Sequence, residues 1–457
     1  MRVRQFSCWL LALAACGTAP VVDAGDASML DAAAESAVVD AAPNDVLPTD
    51  SAVIDSAVSD AQSGLDGSVT TRPHPLYPPL DLASLPGGGA SAAGPYEPPA
   101  LPRTNRTVTI TETGAAARQQ LAMACLVAGT AVTVPDRAGR IGTLDLGNST
   151  DCDIQLGRDV VIDLLYIGHL PGPMVAPSRR IRVRGGQIAR VMVDPGSTDI
   201  VLDGVVINTG LEPSSARSST GIYLINNGAT GVDRFAVVNS IVRMVATAPS
   251  PQGDRDGCAY LAANASNVLF ANNNVVTAGN RNSWGFRIGG GRNYLFVDNA
   301  VRVSFHKLIR MNDGPVDYVY VSRGLWMREA TRTAGGMELN DSFAQLGDLG
   351  TDRIFVHDPT VYLLSGQPVS FGASIGPMQA GRLWEARRIQ WFARAASVVS
   401  DDSLRAAASA CVAGARCDYG VGTHRYTYAD TVAFPADPWR SLPAIDEDNP
   451  DRLPAMP

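Results

Sequence analysis

The chain has 457 residues, only 18 % of them charged, and a formal net charge of −8. The acidity is concentrated: residues 17–71 hold ten Asp or Glu and no Lys or Arg, whereas residues 72–457 hold 35 acidic and 35 basic residues. That balance excludes the basic patch of a nucleic-acid-binding domain, and the wealth of Gly, Asn and Val favours turn-rich β-structure over helix.

Arg2 and Arg4 precede an apolar run, Cys8 to Ala15, that is too short for a permanent bilayer span, which needs roughly 20 residues. It suits the apolar stretch of a signal peptide. The run ends Leu13-Ala14-Ala15-Cys16-Gly17, which resembles the lipobox of bacterial lipoproteins. The resemblance implies removal of residues 1–15, lipidation of Cys16 and an outer-membrane location, with the membrane touched only through the lipid. From residue 16 to 103 the sequence reads as a tether. Acidic residues recur at 31, 35, 40, 45, 50, 55 and 60, a spacing that fits neither helix nor strand. Residues 73–102 then hold nine prolines. Like charges and few large apolar residues prevent a core, and proline favours extended chain.

Strand signal starts at Thr107–Thr111. Residues 114–127 predict a helix with Ala117, Leu121, Ala124 and Cys125 on one face. Strands follow at 131–135, 141–146, 159–167, 180–186, 189–193 and 200–207. From 221 onward one phrase repeats: CAYLAAN (258–264), GFRIGGG (285–291), LIRMNDG (308–314) and GMELNDS (336–342). In a strand, alternate side chains face opposite sides. That alternation places Tyr223, Tyr260, Arg287, Arg310, Glu338 and Ser370 outward. Second strands begin near Phe235, Val268, Tyr294, Tyr318, Ile354 and Leu383, and third strands near Ile241, Val275, Val301, Leu325 and Val361. Between them Asn239, Asn273 and Asn299 fall at equivalent corners, where Asn tolerates left-handed backbone and stacked amides can form a ladder. A constant phrase with variable spacing means constant rungs with variable loops. A β-sandwich would instead show Asn-Gly hairpin turns. Residues 401–412 read as a helix, and 401–457 as a terminal cap and tail.

Three strands per coil, a tight Asn corner and a short N-terminal helix resemble the right-handed parallel β-helix of the pectate-lyase superfamily, over residues 104–400. An exported protein meets oxidising conditions, so Cys411–Cys417 and Cys125–Cys152 are the expected disulfides. Cys258 is then left over, aligned by parity with Gly221, Gly285 and Gly336.

Enzymes of this fold usually bind polysaccharide along the outer face of the first sheet. Here that face and its loops would present Tyr223, Tyr260 and Arg281 to sugar, with Glu338 beside them. Arginines hold carboxylates bidentately, so Arg287 and Arg310 suit an acidic glycan. If the chain cleaves glycan by β-elimination, Arg310 and Arg287 neutralise the uronate, and Lys307 or His306 removes the proton, being better bases than Arg. Asp254 and Asp256 are the candidates for Ca²⁺, the one cofactor the sequence suggests. The Asn-Thr-Asp and Gly-His-Gly patterns of polygalacturonases are missing, as is the Asp cluster of calcium pectate lyases. The reading is therefore a monomeric, lipid-anchored β-helix that binds or processes polysaccharide. The alternative is a surface β-helix lipoprotein, binding or structural, without catalysis.

Overall fold

The computed structural model describes residues 96–168, 177–212, 220–225, 230–245, 256–262, 264–278, 282–303, 307–311, 316–328, 344–346, 353–364, 383–409 and 416–432. Cys16, Asp254, Arg281, His306, Glu338, Ser370 and Cys411 lie outside these residues. Two long sheets dominate, one of 12 strands and one of 16. The pairings are parallel from Arg106–Thr109 to Arg425–Tyr428. Among the described residues no strand pairing is antiparallel, so none forms the hairpin of a sandwich. The chain leaves each sheet and returns one strand further along, so every visit adds a rung, an arrangement compatible with a parallel β-helix.

The 16-stranded sheet forks. Gln187–Val193 pairs at its start with Val206–Asn208 and at its end with Thr220–Leu224. Before the fork one strand serves each rung: Arg140–Asp145, then Val161–Ile167, then Gln187–Val193. Beyond it the strands continue as two separate arms. One arm runs Thr220–Leu224, Asp256–Ala262, Asn282–Ile288, Lys307–Met311 and Ala344–Leu346. The loops that carry most of the sequence-derived site residues enter this arm.

Between the sheets alternate side chains fill the interior. Phe235, Tyr260, Phe270, Phe286, Phe296 and Trp326 form a continuous aromatic stack, with centroid separations such as 4.7 Å for Tyr260–Phe270 and 4.6 Å for Phe286–Phe296. Such pairs contribute about 0.5–1.5 kcal/mol each beyond their buried area. The helix α1 (Gly114–Cys125) buries Ala117, Leu121, Ala124 and Cys125, the face read from the sequence, and Cys125 is disulfide-bonded to Cys152 with Cα atoms 5.3 Å apart. The helix α2 (Asp401–Ser409) buries Leu404. Cys417 is disulfide-bonded. Among the described residues no helix is long and apolar enough to cross a membrane.

Most strands of the 12-stranded sheet carry, near one end or both, residues in left-handed conformation, which L-residues other than Asn and Asp rarely adopt. At the strand start they are Asp151, Arg180, Asp199, Arg234, Asn267, Asn293 and Tyr318, with φ between 49 and 60°. The pairing register steps over each of them, so all stack in one column. Neighbours in it bond across rungs: Arg180 holds Asp151 by two bonds of 2.6 and 2.7 Å, Arg234 holds Asp199, and Asn293 donates to Asn267 at 2.9 Å. At the strand end the column is Gly204, Asn239, Asn272, Asp298, Arg323, Asp358 and Arg388. Asn239 therefore aligns with Asn272, one step from the expected alignment with Asn273 and Asn299. The second ladder runs beside it: Ser240 N–H donates to Asn273 Oδ1 (2.9 Å), and Asn273 Nδ2 to Asn299 Oδ1 (3.0 Å). It ends at Gly324, where a Cβ would meet the Asn299 carbonyl oxygen at 2.4 Å.

Residues 96–103, assigned by sequence to the tether, are docked on the first column. The N–H groups of Glu97, Ala100 and Arg103 donate to Asn267 Oδ1 (3.1 Å), Asp199 Oδ1 (2.9 Å) and Asp151 Oδ1 (3.0 Å). Donors recur every three residues and acceptors every second rung. Polyproline II chain, which Pro98, Pro99 and Pro102 favour, advances ~9.3 Å in three residues, and two rungs span ~9.6 Å. The near-match lets a strap without secondary-structure hydrogen bonds follow the β-stack. Tyr96, 1 % exposed, packs on the outward apolar residues Val201, Ala236, Val238, Leu269 and Ala271 of the same sheet.

The Arg180 guanidinium holds the Asp151 carboxyl below its ordinary range. Burial pushes Asp199 up, but Arg234 and the Ala100 N–H outweigh it and the net shift is down. A depressed folded-state pKa contributes stability above the unfolded value, ~3.9 for Asp, and loses it as pH falls through the folded value. Hydrogen exchange of the Ala100 and Arg103 amides, followed from pH 6 to about pH 3 and corrected for intrinsic rates, is expected to lose protection before the core strand amides. Equal retention of protection would remove the strap from acid-labile structure.

Candidate functional site

One column of the forked arm runs Tyr166, Met192, Tyr223, Leu261, Arg287, Arg310 and Gln345 in consecutive register. Tyr223, Arg287 and Arg310 therefore share one column, as the alternation predicts. Arg287 and Arg310 sit one rung apart, ~4.8 Å between backbones. Tyr223 is half-buried, and Arg287 is only 8 % exposed, so its guanidinium lies under cover instead of in an open groove. Below them Tyr166 donates to Asp194 Oδ1 at 2.5 Å.

Tyr260 is not part of this surface. Its register partners are Ile222 and Phe286, it is 0 % exposed, and it belongs to the aromatic stack. Ala259 and Leu261 offered a competing apolar alternation, but packing against Phe235, Phe270 and Phe286 rewards the ring. A slip of one residue reverses every side chain in a strand, so Leu261, not Tyr260, is in register with Tyr223 and Arg287. Cys258 is in register with Thr220 and Trp284, not with the glycines. In the next described rung Gln345 is in register with Arg310.

Lys307 begins the strand that carries Arg310 and is in register with Trp284. Three residues of strand separate Lys307 from Arg310 by ~10 Å of backbone, so a base and a carboxylate clamp there would act along one strand. Asp256 starts the strand Asp256–Ala262 in register with Asn282. Among the described residues no group of three or more His, Cys, Asp or Glu is arranged to hold a metal ion.

The sequence reading missed Arg243. It sits on the outer side of the other arm, in register with Asn208 and Val276, and is 3 % exposed. Its Nε lacks a hydrogen-bond partner, and burial pushes its pKa down to about 10. Alternation marks it as outward, and nothing local in IVRMV signals that it is covered.

No protein-family model, no curated protein and no solved structure matches the chain. The site has to be read from its own residues.

Two substitutions test this placement. The Tyr260 hydroxyl is buried without a hydrogen-bond partner, so Tyr260→Phe removes an unmet polar group and is expected to raise the unfolding free energy by about 1 kcal/mol or more. A sugar-stacking residue would show no such gain. Arg243→Met replaces an unpaired buried charge by an apolar side chain of similar length and is expected to be neutral to stabilising, by up to about 4 kcal/mol. Denaturant unfolding measures both.

Proposed function

We propose that the chain is a lipid-anchored outer-membrane protein whose right-handed parallel β-helix, with three strands per coil beyond the fork and α1 as its N-terminal cap, binds acidic polysaccharide. The observation that supports this reading is the register of Arg287 with Arg310. Guanidinium groups on adjacent rungs repeat at ~4.8 Å, close to the length of one pyranose unit, so successive uronate carboxylates can each meet one. Tyr223 continues the column with an amphipathic face for a sugar ring.

The chemistry suggested for such a surface is β-elimination, with the arginines neutralising the carboxylate and Lys307 or His306 accepting the C5 proton. Ca²⁺ held by Asp254 and Asp256 would assist by the same neutralisation. Binding without catalysis is the narrower claim and the one proposed.

Titration of the lipid-free protein with polygalacturonate and alginate oligomers tests it. Wild-type protein is expected to bind, and Arg310→Ala to weaken binding by tenfold or more, about 1.4 kcal/mol. Unchanged affinity in the variant would move the site off this column. Absorbance at 235 nm during the same incubations, with and without Ca²⁺, reads elimination separately.

A further inference from the structure

The outer face of the 12-stranded sheet changes character along its length. Around Val201 to Leu295 it is apolar and covered. Three rungs, Val316–Ser322, Arg353–His357 and Leu383–Arg387, then present another surface. One outward column reads Ser322, His357, Arg387 and its neighbour reads Tyr320, Phe355, Glu385. His357 Nε2 lies 2.8 Å from Glu385 Oε1. The His357 and Glu385 side chains are 12 % and 22 % exposed.

We propose that Ser322, His357 and Glu385 form a nucleophile–base–acid constellation that hydrolyses a small acyl ester. Each member comes from a different rung, and the sheet register alone brings them together. A carboxylate can only accept, so Glu385 fixes the proton on Nε2 and leaves the Nδ1 lone pair as the base. Arg387 faces the same carboxylate, 3.9 Å from Oε1, and is bonded in turn to Asp418. Glu385 is thereby held in place beside the imidazole. Ser322 and His357 are register partners on adjacent rungs, ~4.8 Å apart at the backbone. No described residue hydrogen-bonds Ser322 Oγ or His357 Nδ1. The two are not bonded to each other in this state; they are neighbours in one column by register. Such contacts tighten when substrate binds.

The surroundings suit an ester. Tyr320 and Phe355 meet the imidazole edge-on, with centroids at 5.5 and 6.1 Å. They are half-buried and leave an apolar platform beside the base for the acyl group or for the ring that carries it. In the reaction Ser322 Oγ attacks the carbonyl carbon and its proton passes to His357. The imidazolium returns that proton to the departing alcohol oxygen as the ester C–O bond breaks. Water, deprotonated by His357, then cleaves the acyl-serine, releasing the acid and restoring the Ser322 hydroxyl. The atoms balance with one water consumed per ester. Lower in the same column stand Val238, Ala271 and Val297, so the constellation is confined to these rungs. It does not depend on the Arg287–Arg310 surface.

The test uses the full chain, a fluorophosphonate probe and p-nitrophenyl acetate. Wild-type protein is expected to take one label on Ser322, located by peptide mapping, and to release p-nitrophenol. Ser322→Ala, which keeps the backbone and removes one oxygen, is expected to lose both. His357→Asn should slow labelling by roughly a hundredfold or more, the usual worth of a general base, and Glu385→Gln by a smaller factor. Circular dichroism confirms that each variant is folded. The proposal is overturned if folded wild-type protein takes no label, or if Ser322→Ala is labelled and hydrolyses the ester at the wild-type rate.

Discussion

A left-handed backbone position disfavours an L-residue by roughly 1–2 kcal/mol, and here it recurs with Arg180, Arg234, Tyr318, Arg323 and Arg388, not only with Asn and Asp. The stack tolerates this because the same bend repeats at every rung. Repetition puts the side chains of one column above one another, close enough for an arginine to grip the aspartate of the next rung. Asp151–Arg180, Asp199–Arg234, Asp298–Arg323 and Asp358–Arg388 all arise this way. Exposed ion pairs contribute little singly, but these also orient the bend itself. The columns in turn fix which residues face outward and supply the oxygens on which the strap lies.

Within the strand-end column the acids differ in how deeply they lie. Arg388 holds the Asp358 carboxyl below its ordinary range. Asp298 is more buried, and burial raises its pKa even though Arg323 sits 2.5 Å away. Desolvation exceeds the pairing there, as it often does for buried ions. The strand-start column is largely satisfied by its own neighbours.

Much of this architecture is legible in the sequence. Alternating apolar residues mark the strands, Ala117, Leu121, Ala124 and Cys125 mark the helix face, and Arg287 and Arg310 fall in one column as their phrases suggest. The left-handed positions are legible too, in hindsight: TDCDI, RRIRV, TDIVL, DRFAV, SNVLF and RNYLF each place one polar residue just before the first inward apolar one. What fails is parity where both choices are apolar. In CAYLAAN, Ala-x-Leu and Cys-x-Tyr are equal as patterns, and only the neighbouring rungs decide between them. The Asn corner fails for the same reason: consecutive Asn272 and Asn273 both have partners, so the alignment can slip by one. Burial at outward positions such as Arg287 and Arg243 is invisible because alternation gives the side a residue faces and not what lies over it. Ser322, His357 and Glu385 lie on three separate phrases, and no spacing within the chain announces them.

The strap sets how the domain bears load. The chain enters the described structure at Tyr96, beside the rung of Asn267, and runs toward the rung of Asp151. A pull on the chain before Tyr96, directed along the stack, therefore acts parallel to the row of donors and strains the Glu97, Ala100 and Arg103 bonds together. A pull directed away from the sheet would break them one after another, starting at Glu97. Resistance to detachment is then anisotropic: greatest when the tether lies along the stack, least when it stands off from it.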